Sequence, residues 1–247
     1  TTQAITKSIF QSHPHVKILD MSADFRLKDP EAYKEWYGLD HVATDIQPEA
    51  VYGLTEIYRD AIAKSRLVAC PGCYPTAVLL SLVPLAKSGL IDATDIVIDA
   101  KSGLSGAGRG LKENTLFCEA GEGLSPYSVG KHRHSAEIEQ EIGFAAGLEG
   151  LRVNFTPHLV PMSRGELTTS YVRLNQGASA ADLRQLLIDA YASDPFVTVL
   201  DEGVLPQTQM VRGSNYVAMN VVPDRIPGRA IVISTLDNLV KGSAGQA

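Results

Sequence analysis

A short apolar strand, Arg66-Leu-Val-Ala69, runs through Cys70 into a Pro-Gly turn and meets Cys73. An apolar helical run follows at once, through Thr76, Ala77, Val78, Leu79, Leu80, Leu82 and Val83. This strand-turn-helix sets the opening of the chain as α/β and places Cys73 at or just before a helix N-terminus. The first N–H groups of a helix have no intrahelical partner, and the helix dipole puts positive charge there. A thiol so placed is expected to have a lowered pKa and to act as a nucleophilic thiolate near neutral pH. Many cysteines are only small buried hydrophobes, and this segment alone leaves that reading open.

The 247 residues suffice for one large or two modest domains. Lys+Arg 22 against Asp+Glu 28 gives a net charge of −6, which argues against nucleic acid as a partner. Three cysteines make no disulfide framework, so a reducing, cytoplasmic setting is expected. No signal peptide is visible in Thr1-Thr-Gln-Ala-Ile-Thr-Lys7. The most apolar run, Ala77 to Ala86, is too short for a bilayer and contains Ser81 and Pro84, so no membrane partner is expected. The chain begins without Met and stops in Gly242-Ser-Ala-Gly-Gln-Ala247, so both ends read as cut from a longer protein.

Helices are expected over Thr1–Gln11, from Asp29 to Tyr37 with Asp29 as N-cap and Pro30 in the first turn, and over Ala180–Tyr191. Strands are expected at 16–20, 66–69, 95–99, 153–159, 167–174, 197–200, 216–222 and 231–236. The start is thus α/β and the remainder α+β with a larger sheet, two units with a cleft between them.

His132-Arg-His134 is a second chemical constellation, in a loop opening onto a helix. Imidazole is the natural acid/base near neutral pH. Glu137, three residues after His134, is placed to reach back over the first turn and orient a ring. A plain helix-capping role remains the competing reading. His158 is isolated, so no metal site is expected. Lys101-Ser-Gly-Leu-Ser-Gly-Ala-Gly-Arg-Gly110 follows a strand, and its glycines let backbone N–H groups approach an anion or a flat ring. Arg109 there and Arg164 in Pro161-Met-Ser-Arg-Gly165 are candidate anion binders, with a simple turn role as the alternative for each. Cys118 reads as structural. Together these residue types suggest covalent acyl chemistry on a phosphorylated substrate.

Pro71-Gly-Cys-Tyr-Pro-Thr76 resembles the active-site signature of the N-acetyl-gamma-glutamyl-phosphate reductases, of arginine biosynthesis. Asp20 to Leu27, Ser102 to Arg109, Tyr127 to Glu139, Phe155 to His158, Pro161 to Gly165 and Asp237 to Gly242 resemble family segments in the same order. The resemblance implies part of a Rossmann-type NADP-binding domain over 1–72. It further implies a catalytic and oligomerisation domain like that of glyceraldehyde-3-phosphate dehydrogenase over 73–235. Residues 236–247 would begin a C-terminal helix returning to the first domain. It implies Cys73 as nucleophile, His134 with His132 as acid/base, and Glu137 as support. Arg109, Tyr127 and Arg164 would contact an acyl-phosphate substrate, while Ser102, Gly103 and Asn238 would approach the nicotinamide of NADP(H). A homodimer or homotetramer is implied. The family's Gly-rich nucleotide fingerprint is absent from this sequence, and Ala136 stands where the family often has Pro.

Three other readings compete. A lysine-pathway paralogue would act on a substrate one methylene longer, a difference worth only about 1–3 kcal/mol in a pocket. Cys70-Pro-Gly-Cys73 also fits a thiol–disulfide oxidoreductase. The last is a catalytically silent scaffold or dimerisation module.

Overall fold

The computed structural model describes all 247 residues. Its first unit comprises α1 (Thr2–Ser12), β1 (Ile18–Asp20), α2 (Pro30–Tyr37), β2 (Val51–Tyr52), α3 (Thr55–Lys64) and β3 (Leu67–Ala69). Strands β1 and β2 both pair in parallel with β3, in the order β1-β3-β2. Phe10, Phe25, Ile46 and Leu67 form a small core beside this sheet. Helix α2 starts and stops where its residues dictate. The Asp29 carboxylate accepts from the Glu31 N–H, Pro30 opens the first turn, and Gly38 ends the helix at φ 70°.

From Cys73 onward the chain builds a larger layer: α4 (Cys73–Ser88), β4 (Ile91–Gly103), α5 (Phe117–Ala120), β5 (Ser125–Pro126), α6 (His134–Ala146), β6 (Asn154–Val160), β7 (Glu166–Leu174), α7 (Ala180–Ala190), β8 (Val197–Val199), α8 (Thr208–Val211), β9 (Val217–Pro223) and β10 (Arg229–Leu236). The seven strands run β5-β6-β4-β7-β10-β9-β8. Strand β4 lies parallel to β6 and antiparallel to β7, with Ser102 opposite Glu166. It is far longer than the expected 95–99 segment and ends at Gly103, so the Gly-rich loop leaves directly from a sheet strand. Helix α7 opens with a capping box between Ser179 and Asp182.

Every residue of α4 from Tyr74 to Val83 is buried. A helix without a polar face must be covered all round. Here the large sheet, α6 and α7 cover it. Pro84 removes the N–H that would bond the Leu80 carbonyl, and the Tyr191 hydroxyl donates to that carbonyl instead, at 2.5 Å.

At the C-terminal end residues Val240–Ala244 form a π-helical turn. The buried Asp237 carboxylate holds its start, accepting N–H groups from Leu239 at 2.9 Å, Val240 at 3.0 Å and Gly213 at 2.7 Å. Lys241 is tied to Glu56 of α3 in a buried ion pair. No helix is long and apolar enough to cross a membrane.

Candidate active site

Cys73 is the first residue of α4, and α6 lies alongside with His134 as its own first residue. The packing of these two helices brings together residues 61 positions apart. A cleft of about 510 Å³ opens on one side of Cys73, lined by Tyr74, Ser102, Tyr127, His132 and His134. A smaller cavity of about 210 Å³ lies on another side, lined by Gly106, Asn238, Leu239, Gly242 and Ser243. Cys73, His134, Arg26 and Gly106 border both.

The His134 ring sits directly over the turn before Cys73. A Cβ at Gly72 would stand 2.4 Å from His134 Nε2, so only glycine admits the ring there. The His132 and His134 rings lie edge to face at 4.7 Å, and Tyr74 presents an edge contact to both. Burial above all pushes both imidazoles down to about 3. His134 and Arg133 add to the effect at His132, and Arg26 and Arg133 add to it at His134. Both rings are therefore neutral at neutral pH.

Glu137 is completely buried and fully engaged. Arg26 Nη1 donates to one oxygen at 3.0 Å, while the Tyr52 hydroxyl at 3.0 Å and the Gly72 N–H at 3.1 Å donate to the other. His134 Nε2 stands 3.9 Å from the nearer oxygen. Glu137 Oε1, which accepts only from Arg26, thus lies close to the ring but beyond hydrogen-bond distance of it. Arg26 also donates to the carbonyls of Cys70 at 2.7 Å and Met21 at 3.2 Å, so one guanidinium stitches the turn to the first unit.

The thiol itself departs from the helix-dipole argument. Burial and the nearby Glu166 carboxylate push Cys73 well above its ordinary value, outweighing the Tyr74 N–H and Arg26. Glu166, the first residue of β7, is wholly buried, and neither carboxylate oxygen has a hydrogen-bond partner. Burial raises it to about 8, with the Cys73 thiol pulling the other way. The thiol of Cys70 is pushed up to about 11 by burial, which speaks against a thiol–disulfide role for the pair.

Of the remaining residues singled out in the sequence, Tyr127 and Ser102 line the cleft and Asn238 lines the smaller cavity. Asn238 is fixed by accepting from the Gly165 N–H at 2.9 Å and donating to Ser105 Oγ at 2.9 Å. Gly103, Arg109 and Arg164 border neither cavity. A Cβ at Gly103 would lie 2.8 Å from the Met162 carbonyl oxygen, so that glycine serves the turn beneath it. Arg109 is exposed, and Arg164 lies 3.9 Å from Asp237. The cations bordering the cleft are Arg26, Lys112, Lys131 and Arg133. Sequence reasoning gave them no role, nor Tyr52 and Glu166, although Arg26, Lys131 and Arg133 lay in segments that had drawn notice. No cluster of three or more His, Cys, Asp or Glu side chains forms a metal site.

A cysteine on a helix N-terminus, a histidine across from it and a mixed sheet beneath define a semialdehyde-dehydrogenase type of protein. The model of the semialdehyde dehydrogenase dimerisation domain matches residues 73–238. Aspartate semialdehyde dehydrogenase from Francisella tularensis shares the fold with a TM-score of 0.69, at 15% identity over 98% of this chain and 76% of that one. Aspartate semialdehyde dehydrogenase II from Vibrio cholerae gives 0.65, at 17% identity over 83% of this chain and 68% of that one. The chain belongs to the N-acetyl-gamma-glutamyl-phosphate reductase family. It is 54% identical to the reductase of Afipia carboxidovorans and 56% identical to that of Rhodospirillum rubrum, over all of its length and 70% of theirs. It is also 56% identical to a probable chloroplastic reductase of Arabidopsis thaliana, spanning 61% of that protein.

Proposed function

We propose that this chain carries the catalytic portion of an enzyme that reduces N-acetyl-gamma-glutamyl phosphate to N-acetylglutamate semialdehyde in arginine biosynthesis. Cys73 attacks the gamma-carbonyl, phosphate leaves, and the acyl group rests on sulfur as a thioester. The observation that carries this reading is the position of Cys73 between two cavities of different character. The larger, bordered by Arg26, Lys112, Lys131 and Arg133, suits an anionic acyl phosphate. Tyr127 and His132 form its apolar and polar wall. The neutral His134 imidazole donates to the oxygen of the tetrahedral adduct and takes the proton back as that adduct collapses. Glu137 acts with Arg26 to fix the Gly72 turn beneath that ring.

The smaller cavity suits the nicotinamide end of NADP(H). A Cβ at Gly242 would approach Cys73 Cβ to 2.7 Å and one at Gly106 would approach Ser102 Oγ to 2.6 Å, so both glycines keep this region open. Asn238, Ser102 and the Gly106 backbone would hold the carboxamide end of the ring. When bound, NADPH supplies the hydride that reduces the thioester. Residues 1–72 would belong to the nucleotide-binding domain, and 73–235 to the catalytic and subunit-pairing domain. The family description, a dimerisation domain, supports a homodimer built on the large sheet.

The test is the reverse reaction of the full-length protein with N-acetylglutamate semialdehyde, phosphate and NADP. Phosphate-dependent NADPH formation, lost by about 10³-fold or more in Cys73→Ala, is the expected result. Faster turnover of the semialdehyde one methylene longer would reassign the substrate, and no turnover of either would overturn the reading.

A further inference from the structure

The mechanism above leaves Glu166 without a role, and Cys73 without a base. Burying a carboxylate with no partner is costly, so such a residue calls for an explanation. Glu166 is completely enclosed and neither oxygen is paired in the hydrogen-bond network. Its strand partner Leu236 and Cys73 both crowd the position of a Cβ at Gly242, at 3.1 and 2.7 Å, which places the carboxylate close enough to the thiol to push it up. The strand register fixes this placement. Glu166 opens β7 opposite Ser102 of β4 and Leu236 of β10, and Thr168, Ser170 and Val172 continue its buried row toward α4. Cys73 and Tyr74 of α4 and Tyr127 beyond β5 are the titratable groups that feel its charge. No cation pairs with it; Arg164, two residues away, is turned toward Asp237.

We propose that Glu166 is the general base that takes the Cys73 proton as sulfur attacks the acyl phosphate; this rests on the acyl-phosphate reading above. In the first step the S–H bond breaks as the S–C bond forms. The proton passes to a Glu166 oxygen, the carbon–oxygen bond to phosphate breaks, and phosphate leaves with that electron pair and takes a proton from solvent. After the thioester is reduced, the carbon–sulfur bond breaks and its electron pair returns to sulfur. Glu166 then hands the proton back, restoring thiol and carboxylate. His134, held near 3, is a much weaker proton acceptor, whereas a carboxylate raised to about 8 is matched to work near neutral pH.

The experiment mixes full-length protein with N-acetylglutamyl phosphate without nucleotide and follows the first-turnover burst of phosphate against pH. For the wild type the burst rate should rise with pH and level off above about pH 8. In Glu166→Gln it should fall by about 10²-fold at pH 7 and keep rising beyond the wild-type plateau. A Glu166→Gln burst within about twofold of wild type, with the same profile, overturns the proposal. Infrared titration of the unmutated protein gives a second arm that needs no variant to fold. A buried carboxyl titrating near 8 should shift upward when iodoacetamide alkylates Cys73, since the thiol that lowers it is lost. A carboxyl titration indifferent to alkylation also overturns the proposal. A wild type that releases no phosphate overturns the acyl-phosphate reading itself, and this proposal with it.

Discussion

Gly72 and His134 form the tightest contact in the site. The Gly72 backbone is extended, at φ −70° and ψ 164°, so alanine is conformationally allowed there. Its Cβ would nonetheless strike the imidazole at 2.4 Å. Gly72→Ala should therefore fold but displace His134, with kcat falling on the order of 10²-fold. Circular dichroism and steady-state kinetics on the same preparation check both halves. The two histidines also set an acid limit. Their pKa values are lowered from 6.5 to about 3, so their stabilisation is intact above pH 6.5 and is lost as pH falls toward 3. There the unfolded chain binds protons that the folded chain refuses. Replacing both by glutamine should flatten the stability–pH curve in that window, by up to about 2.7 kcal/mol per pH unit. Urea midpoints from pH 4 to 7 measure it. Cys73 and the histidine pair were legible in the sequence because their side chains carry chemistry and stand beside a Pro-Gly turn or a helix start. Glu166 was not, since a glutamate opening a strand reads as a solvated residue until the register turns it inward.

At the scale of elements, α4 depends on a hydroxyl from another helix. Pro84 orphans the Leu80 carbonyl in the core, and Tyr191 from the end of α7 satisfies it. Tyr191→Phe keeps the ring but leaves that carbonyl unpaired, and should cost about 1–3 kcal/mol in urea denaturation. The apolar run from Ala77 announced α4, and the strands after 150 followed their alternation, so the element types were readable. The full extent of β4 was not, because Asp92 and Thr94 interrupt its pattern and a bulge between Asp92 and Ile96 absorbs them. The π-helical form of the turn at Val240–Ala244 was not legible, because distant partners hold it: Asp237 accepts from Gly213 and Lys241 pairs with Glu56.

For the molecule as a whole, Arg26 and Glu137 join the first unit to the catalytic one, 111 residues apart in sequence. Such a pair is costly to break singly, because a buried charge is left without its partner. Glu137→Ala should destabilise by about 3–5 kcal/mol, while Arg26→Met with Glu137→Leu should recover only the part due to the unpaired charge in a double-mutant cycle, since Tyr52 and the Gly72 N–H stay without their acceptor. The Cys73 thiol shows the same dependence on the whole. Local reading predicted a depressed pKa from the helix end, but in the assembled layers Cys73 is half-buried beside a buried carboxylate, and together these push the thiol up. The central claim is that Cys73 carries the acyl group. Its most direct test is mass spectrometry of full-length protein mixed with N-acetylglutamyl phosphate without nucleotide. The account predicts an acetylglutamyl adduct on the peptide bearing Cys73, discharged when NADPH is added. An unmodified Cys73, or an adduct on another residue, would contradict it.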